Sequence, residues 1–193
     1  GFVDSCCPLT LDHASLLDLL PEYNTQLCTY GAEIIRSRIG LQRSAQIITP
    51  DCSIAEAYKK AGRHDVIIAD EAQFLTKAQV EQLVHIVDDL NIPVIALAQV
   101  NRDVDGQMPT LRSLKDSGSI EQDADGVIFL HRPNSAEDTS VNPLDREYFE
   151  GYKQNGFVYL CIGVAKQRQG AIGKACVLFN PERMQYTEID RGH

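Results

Sequence analysis

Three sets of polar residues in this chain have the types and spacing that phosphate chemistry needs. The first is Asp70 with Glu71, which follow an apolar run in "DVIIADE". A carboxylate at the end of such a strand can hold the water shell of Mg²⁺, and its neighbour can accept a proton. The same two acids also suit a turn or a helix start, so the pair alone leaves both readings open. The second is Gln99, which ends the apolar run "PVIALAQ". Its amide could sense a γ-phosphate or satisfy backbone groups at a sheet edge. The third is Lys166 with Arg168 in "AKQRQGAIG". Their spacing of two puts both on one side of a strand, where they could clamp phosphoryl oxygens or simply be a solvated hairpin end.

These residues need elements to hold them. Short apolar runs alternate with helical patterns, the rhythm of βα units around a mostly parallel sheet. "GFVD" reads as the end of a first strand, and "DHASLLDLL" as a helix capped by Asp12 and closed by Pro21. Strands are expected at Thr25 to Tyr30, Ala45 to Thr49 and Asp65 to Asp70, with Ser53 capping a helix through Lys60. In "TKAQVEQLVHIVDDL", Val80, Leu83, Val84, Val87 and Leu90 recur at helical spacing behind a Thr76 cap. Pro93 to Gln99 has the uniform apolar character of a central parallel strand. The stretch "SGSIEQDADGVIFLHR" combines a small-residue turn, a short helix with Glu121, Gln122, Asp123 and Asp125, and a strand from Val127 to Leu130. "FVYLCIGVAK" and "KACVLFN" suggest a final antiparallel hairpin, after a mobile polar loop. The fold class expected is α/β, in one domain spanning residues 1–193.

Composition narrows the function. The 193 residues carry 44% apolar and 23% charged residues, enough for one substantial core. A net charge of -9 argues against a surface coated for nucleic acid, although a local basic track is compatible with it. No run approaches the ~18 apolar residues of a membrane span, and no signal segment opens the sequence. Six cysteines without a C-x-x-C pair point to reduced thiols and a cytoplasmic location rather than a zinc site.

From Pro93 onward the sequence resembles the motor domain of DnaB-type replicative DNA helicases. The resemblance lies in "AQVNR", in "SGSIEQDAD" and in Lys-Gln-Arg before a glycine. It implies a three-layered RecA-like P-loop domain that uses ATP and Mg²⁺, grips single-stranded DNA and assembles as a hexameric ring. By that resemblance Asp70 coordinates Mg²⁺ through water, Glu71 is the candidate base and Gln99 couples to the γ-phosphate. Lys115, Asp116, Gly118 and Ser119 lie in the DNA-facing loop, where the family has Arg-Glu in place of Lys115-Asp116. Gln122 and Asp123 begin the segment that couples DNA to nucleotide. Lys166 and Arg168 reach the adjacent subunit's ATP site.

Residues Ile39 to Pro93, with "DEAQFL", resemble bacterial-type thymidine kinase instead. That suggests a thymidine-kinase-like half over residues 1–92 joined to a helicase-like half over residues 93–193, as in a chimera of two P-loop families. The kinase's zinc cysteines and nucleoside lid have no counterpart. Both families use a Walker A loop, G-x-x-x-x-G-K-[ST], to cradle phosphates on backbone N–H groups. At the expected place stands "SCCPLTLDHAS", without Gly or Lys, with Pro8 lacking an N–H and Asp12 adding negative charge. The expectation is therefore a helicase-like domain that does not turn over ATP alone. The alternatives are a non-catalytic or chimeric P-loop-like module and a nucleoside kinase.

Overall fold

A computed structural model describes residues 25–29, 34–36, 42–62, 64–100 and 107–190. The expected first strand, the Asp12-capped helix and the degenerate phosphate loop lie outside them. The chain divides into two compact units, Gly1–Gln99 and Val100–His193.

The first unit is built on a parallel sheet in the order β4-β1-β5-β6. Its strands are β1 (Thr25–Thr29), β4 (Gln46–Ile47), β5 (Val66–Ala69) and β6 (Val94–Ala96), while β2 (Ile34–Arg36) and β3 (Gln42–Ser44) form a separate antiparallel pair. All four residues of β5 are buried, as expected of a strand covered on both faces. β6 is less central than its apolar sequence suggests. It stands at the end of the strand order and its residues are half-buried or exposed.

Helix α1 (Ile54–Ala61) starts where Ser53 Oγ accepts from the Glu56 N–H. Helix α2 (Lys77–Leu90) opens with a reciprocal capping box, Thr76 accepting from the Gln79 N–H and Gln79 accepting from the Thr76 N–H. The face that α2 buries is Gln79, Val80, Leu83 and Ile86. Leu90 is 51% exposed, so the buried stripe is shifted from the expected one. Gln79 shares the buried face, and its amide donates to the carbonyls of Thr49 (2.7 Å) and Cys52 (3.0 Å).

The second unit holds an antiparallel sheet in the order β10-β9-β8-β7. Its strands are β7 (Gly126–His131), β8 (Val158–Gln167), β9 (Gly173–Asn180) and β10 (Gln185–Glu188). The expected hairpin is thus two strands of four, because β7 also pairs with β8 and the turn after Asn180 returns the chain as β10. Helix α3 (Gly118–Asp123) leads into β7.

The polar stretch before β8 is not an open loop. It forms a 3₁₀ segment (Pro143–Tyr148) and helix α4 (Phe149–Gln154), and it contains some of the most deeply buried residues of the chain. Val141 and Phe149 pack with Tyr159, Cys161, Leu178 and Ile189. The polar groups survive burial because each is paired. Tyr159 OH donates to Asp145 Oδ2 at 2.6 Å, and Asp138 Oδ1 accepts from the Ser140 hydroxyl and N–H.

Candidate functional site

In the first unit, β5 delivers Asp70 and Glu71 to the carboxyl end of the parallel sheet, where open α/β sheets carry their sites. The chain then turns sharply. Glu71 sits in the left-handed region (φ 51°, ψ 40°) ahead of a 3₁₀ turn, Ala72–Phe74. That conformation is strained for a residue with a Cβ and is characteristic of functional sites. The Glu71 N–H donates to Asp70 Oδ1 at 2.9 Å.

Both Glu71 carboxylate oxygens are oriented by amides. Gln99 Nε2 donates to Oε1 at 3.1 Å, and Gln73 Nε2 donates to Oε2. The Gln99 N–H in turn donates to Gln73 Oε1 at 3.1 Å. Two backbone bonds, Leu97 N–H to Ala69 O and Ala72 N–H to Leu97 O, both 2.8 Å, lock the turn to the end of β6. Thus Asp70, Glu71 and Gln99, chosen from separate sequence signals, converge in one hydrogen-bonded group. Gln73 is the member that sequence reasoning missed. Its signal was present in "DEAQF", two residues past Glu71.

In the second unit, Lys166 and Arg168 do converge from the end of β8, and they meet the carboxyl end of α3. Lys166 Nζ donates to the carbonyls of Glu121 (2.7 Å) and Gln122 (2.9 Å). Arg168 Nη1 pairs with Asp125 Oδ1 at 2.6 Å, and Nη2 reaches the Asp123 carbonyl at 3.5 Å. Cations belong at this place, because the last carbonyls of a short helix lack partners and carry partial negative charge. The pair is anchored at the start of β7 by the Arg168 N–H, which donates to Asp125 O at 2.9 Å. The candidate coupling residues Gln122 and Asp123 therefore touch the candidate finger residues through their carbonyls.

Lys115 and Asp116 fall in a 3₁₀ segment (Leu111–Ser117) that bends at Leu114, and Gly118 and Ser119 open α3. The four lie together along the backbone that leads into the helix held by Lys166 and Arg168. Among the described residues no His, Cys, Asp and Glu cluster is arranged to hold a metal directly. A cleft of about 600 Å³ beside α1, lined by Gln46, Asp51, Ser53, Glu56 and Lys60 among others, contains none of the candidate residues.

The profile of the family described as DnaB-like helicase C terminal domain matches residues 42–188. The chain belongs to this family. The match runs through residue 93, where a join of two families was expected. Neither a thymidine-kinase-like half nor a chimera is shown, and those alternatives are not favoured. The physical reason is that an apolar strand ending in Asp-Glu is common ground for P-loop cores and does not distinguish one from another.

Among the relatives, the replicative DNA helicase DnaB of Helicobacter pylori is 38% identical over 124 aligned residues, 52% of this chain and 25% of that protein. The replicative DNA helicase DnaC of Bacillus subtilis is 33% identical, over 57% of this chain and 22% of that protein. A probable plasmid replicative DNA helicase of Chlamydia trachomatis is 26% identical, over 69% of this chain and 28% of that protein. The chain thus spans about a quarter of the length of these relatives. The ATPase domain of G40P shares the fold at TM-score 0.50 and 22% identity, over 76% of this chain and 55% of that chain. A DnaB-like replicative helicase, solved with attention to its interactions with primase, matches at the same TM-score over 37% of its chain. With these neighbours the α/β architecture is RecA-like.

Proposed function

We propose that this chain is part of the ATP-dependent motor of a replicative DNA helicase, acting in the cytoplasm on single-stranded DNA within a hexameric ring. The observation that carries the reading is the Glu71 carboxylate, held at a sheet's carboxyl end by Gln73 and Gln99 on a strained turn. A group fixed in this way can take a proton from a water attacking a terminal phosphate, while Gln99 relays the state of that phosphate. Asp70 suits Mg²⁺, which is held by one or two carboxylates plus substrate phosphates and keeps several waters. When bound, Mg²⁺ would neutralise charge on the β- and γ-phosphates.

On this reading Lys166 and Arg168 act on a neighbouring subunit's nucleotide, and α3 links them to the Lys115 to Ser119 segment that faces DNA. Backbone N–H groups and one cation suffice there for contact with phosphates regardless of sequence. The weak point is "SCCPLTLDHAS", which lacks the glycines and lysine of a phosphate loop. We therefore expect this chain to bind ATP far more weakly than in the low-micromolar range, with no turnover by it alone.

The test is a titration of the chain with a fluorescent ATP analogue and Mg²⁺, at concentrations that permit assembly. Weak binding reduced further by Asp70→Asn supports the site. Low-micromolar binding overturns the expected incompetence, and binding indifferent to Asp70→Asn overturns the Mg²⁺ assignment.

A further inference from the structure

The motor reading leaves unused a group of side chains on the opposite flank of β8. Cys161 of β8 and Cys176 of β9 are direct cross-strand partners. Their Sγ atoms lie 3.4 Å apart. Directly opposed residues in an antiparallel ladder have Cα atoms about 4.5 or 5.5 Å apart, and both spacings fall inside the range a disulfide accepts. Cys161 is fully buried, whereas Cys176 is half-buried.

Three donors converge on one acceptor beside the pair. The Ser140 carbonyl accepts from Cys161 Sγ at 3.3 Å and from Lys174 Nζ at 2.7 Å, with Cys176 Sγ at 3.8 Å. Lys174 and Cys176 are two apart on β9, so the ammonium stands on the same face as the thiol. A half-accessible sulfur next to a cation and a second sulfur is the arrangement of an attacking thiolate with its resolving partner.

We propose that Cys161 and Cys176 are a reversible redox modification site that closes a cross-strand disulfide when the chain meets a hydroperoxide. The Cys176 thiolate attacks one oxygen of hydrogen peroxide. An S–O bond forms, the O–O bond breaks, and hydroxide leaves and takes up a proton as water. The Cys161 sulfur then attacks the Cys176 sulfenic acid. An S–S bond forms, the S–O bond breaks, and the departing hydroxide takes the Cys161 proton as a second water. Two thiols and one peroxide thus give one disulfide and two waters, and a small dithiol reverses the change by exchange. The disulfide joins β9 to β8, the strand that carries Lys166, and it removes both thiol donors from the Ser140 carbonyl.

The experiment treats the whole folded chain with limiting hydrogen peroxide, blocks remaining thiols with N-ethylmaleimide, and maps unreduced peptides by mass spectrometry. The expected result is a linked pair of peptides carrying Cys161 and Cys176, lighter by two hydrogens and separated by dithiothreitol. Cys161→Ser should leave Cys176 as a sulfenic acid that dimedone labels, and Cys176→Ser should leave Cys161 as a free thiol. Both cysteines recovered as free thiols after Cys52 has been oxidised would overturn the proposal. So would their appearance in bridges to Cys6, Cys7 or Cys28 instead of to each other. The wild-type map decides the matter even where a serine variant folds poorly.

Discussion

A glutamate with a positive φ keeps its place against a conformational penalty of about 1–2 kcal/mol for a residue with a Cβ. At Glu71 (φ 51°) that penalty accompanies a carboxylate gripped by Gln73 and Gln99. Glu71→Gly should relieve the strain and raise unfolding stability by about 0.5–1 kcal/mol in a denaturant titration. If the proposed motor role holds, the same change abolishes ATP hydrolysis in the assembled protein, so stability and activity move in opposite directions.

Cys176 gives a second prediction at this scale. Its thiol is lowered to about 6, first by the side-chain contact with Cys161 and then by Tyr159 and the Lys174 ammonium, against burial and the nearby Asp145 carboxylate. The thiolate fraction rises as pH climbs through that value and levels off above it. The rate of peroxide oxidation should therefore have its inflection near pH 6. An inflection near the free-thiol value of about 8.5 would show that Lys174 and Cys161 do not activate the sulfur.

Single elements depend on a few buried polar side chains. Gln79 is nearly inaccessible and serves three backbone groups, the carbonyls of Thr49 and Cys52 and the N–H of Thr76. Gln79→Ala should destabilise the first unit by about 2 kcal/mol, because it orphans groups that water cannot reach. In the second unit, burial works to raise the Asp138 carboxyl. The Ser140 hydroxyl and N–H and the His131 ring outweigh it and hold the group below the ordinary carboxylate value of 3.8. A carboxyl lowered by folding contributes stability above its unfolded value, and that contribution is lost as pH falls through the folded value. Acid unfolding of the wild type should therefore steepen below about pH 4, and Asp138→Asn should flatten that limb.

Over the whole molecule, a net charge of -9 means that DNA can be held only through local contacts. Lys115 is the cation of the proposed loop. Lys115→Ala should weaken single-stranded DNA binding in the assembled protein and reduce the salt slope by about 0.7 per chain engaged. An unchanged slope would remove Lys115 from the DNA contact.

The sequence alone determined the local elements whose signals are short-range. The Ser53 and Thr76 caps, the buried strand before Asp70, and the Lys166–Arg168 pair at the end of β8 all follow from neighbours within one or two turns. So does the placement of Asp70 and Glu71 at a strand end. Tertiary structure decided what depends on partners distant in sequence. It buried Gln79 of α2 against the Thr49 and Cys52 carbonyls and brought Gln99 onto Glu71. It buried Asp138, Ser140 and Asp145 in a stretch whose polarity reads as open loop, and it set Cys161 against Cys176 across a ladder. Periodicity records which side of an element is apolar. Which polar groups find each other once the elements pack is set by long-range register, and no local pattern encodes that.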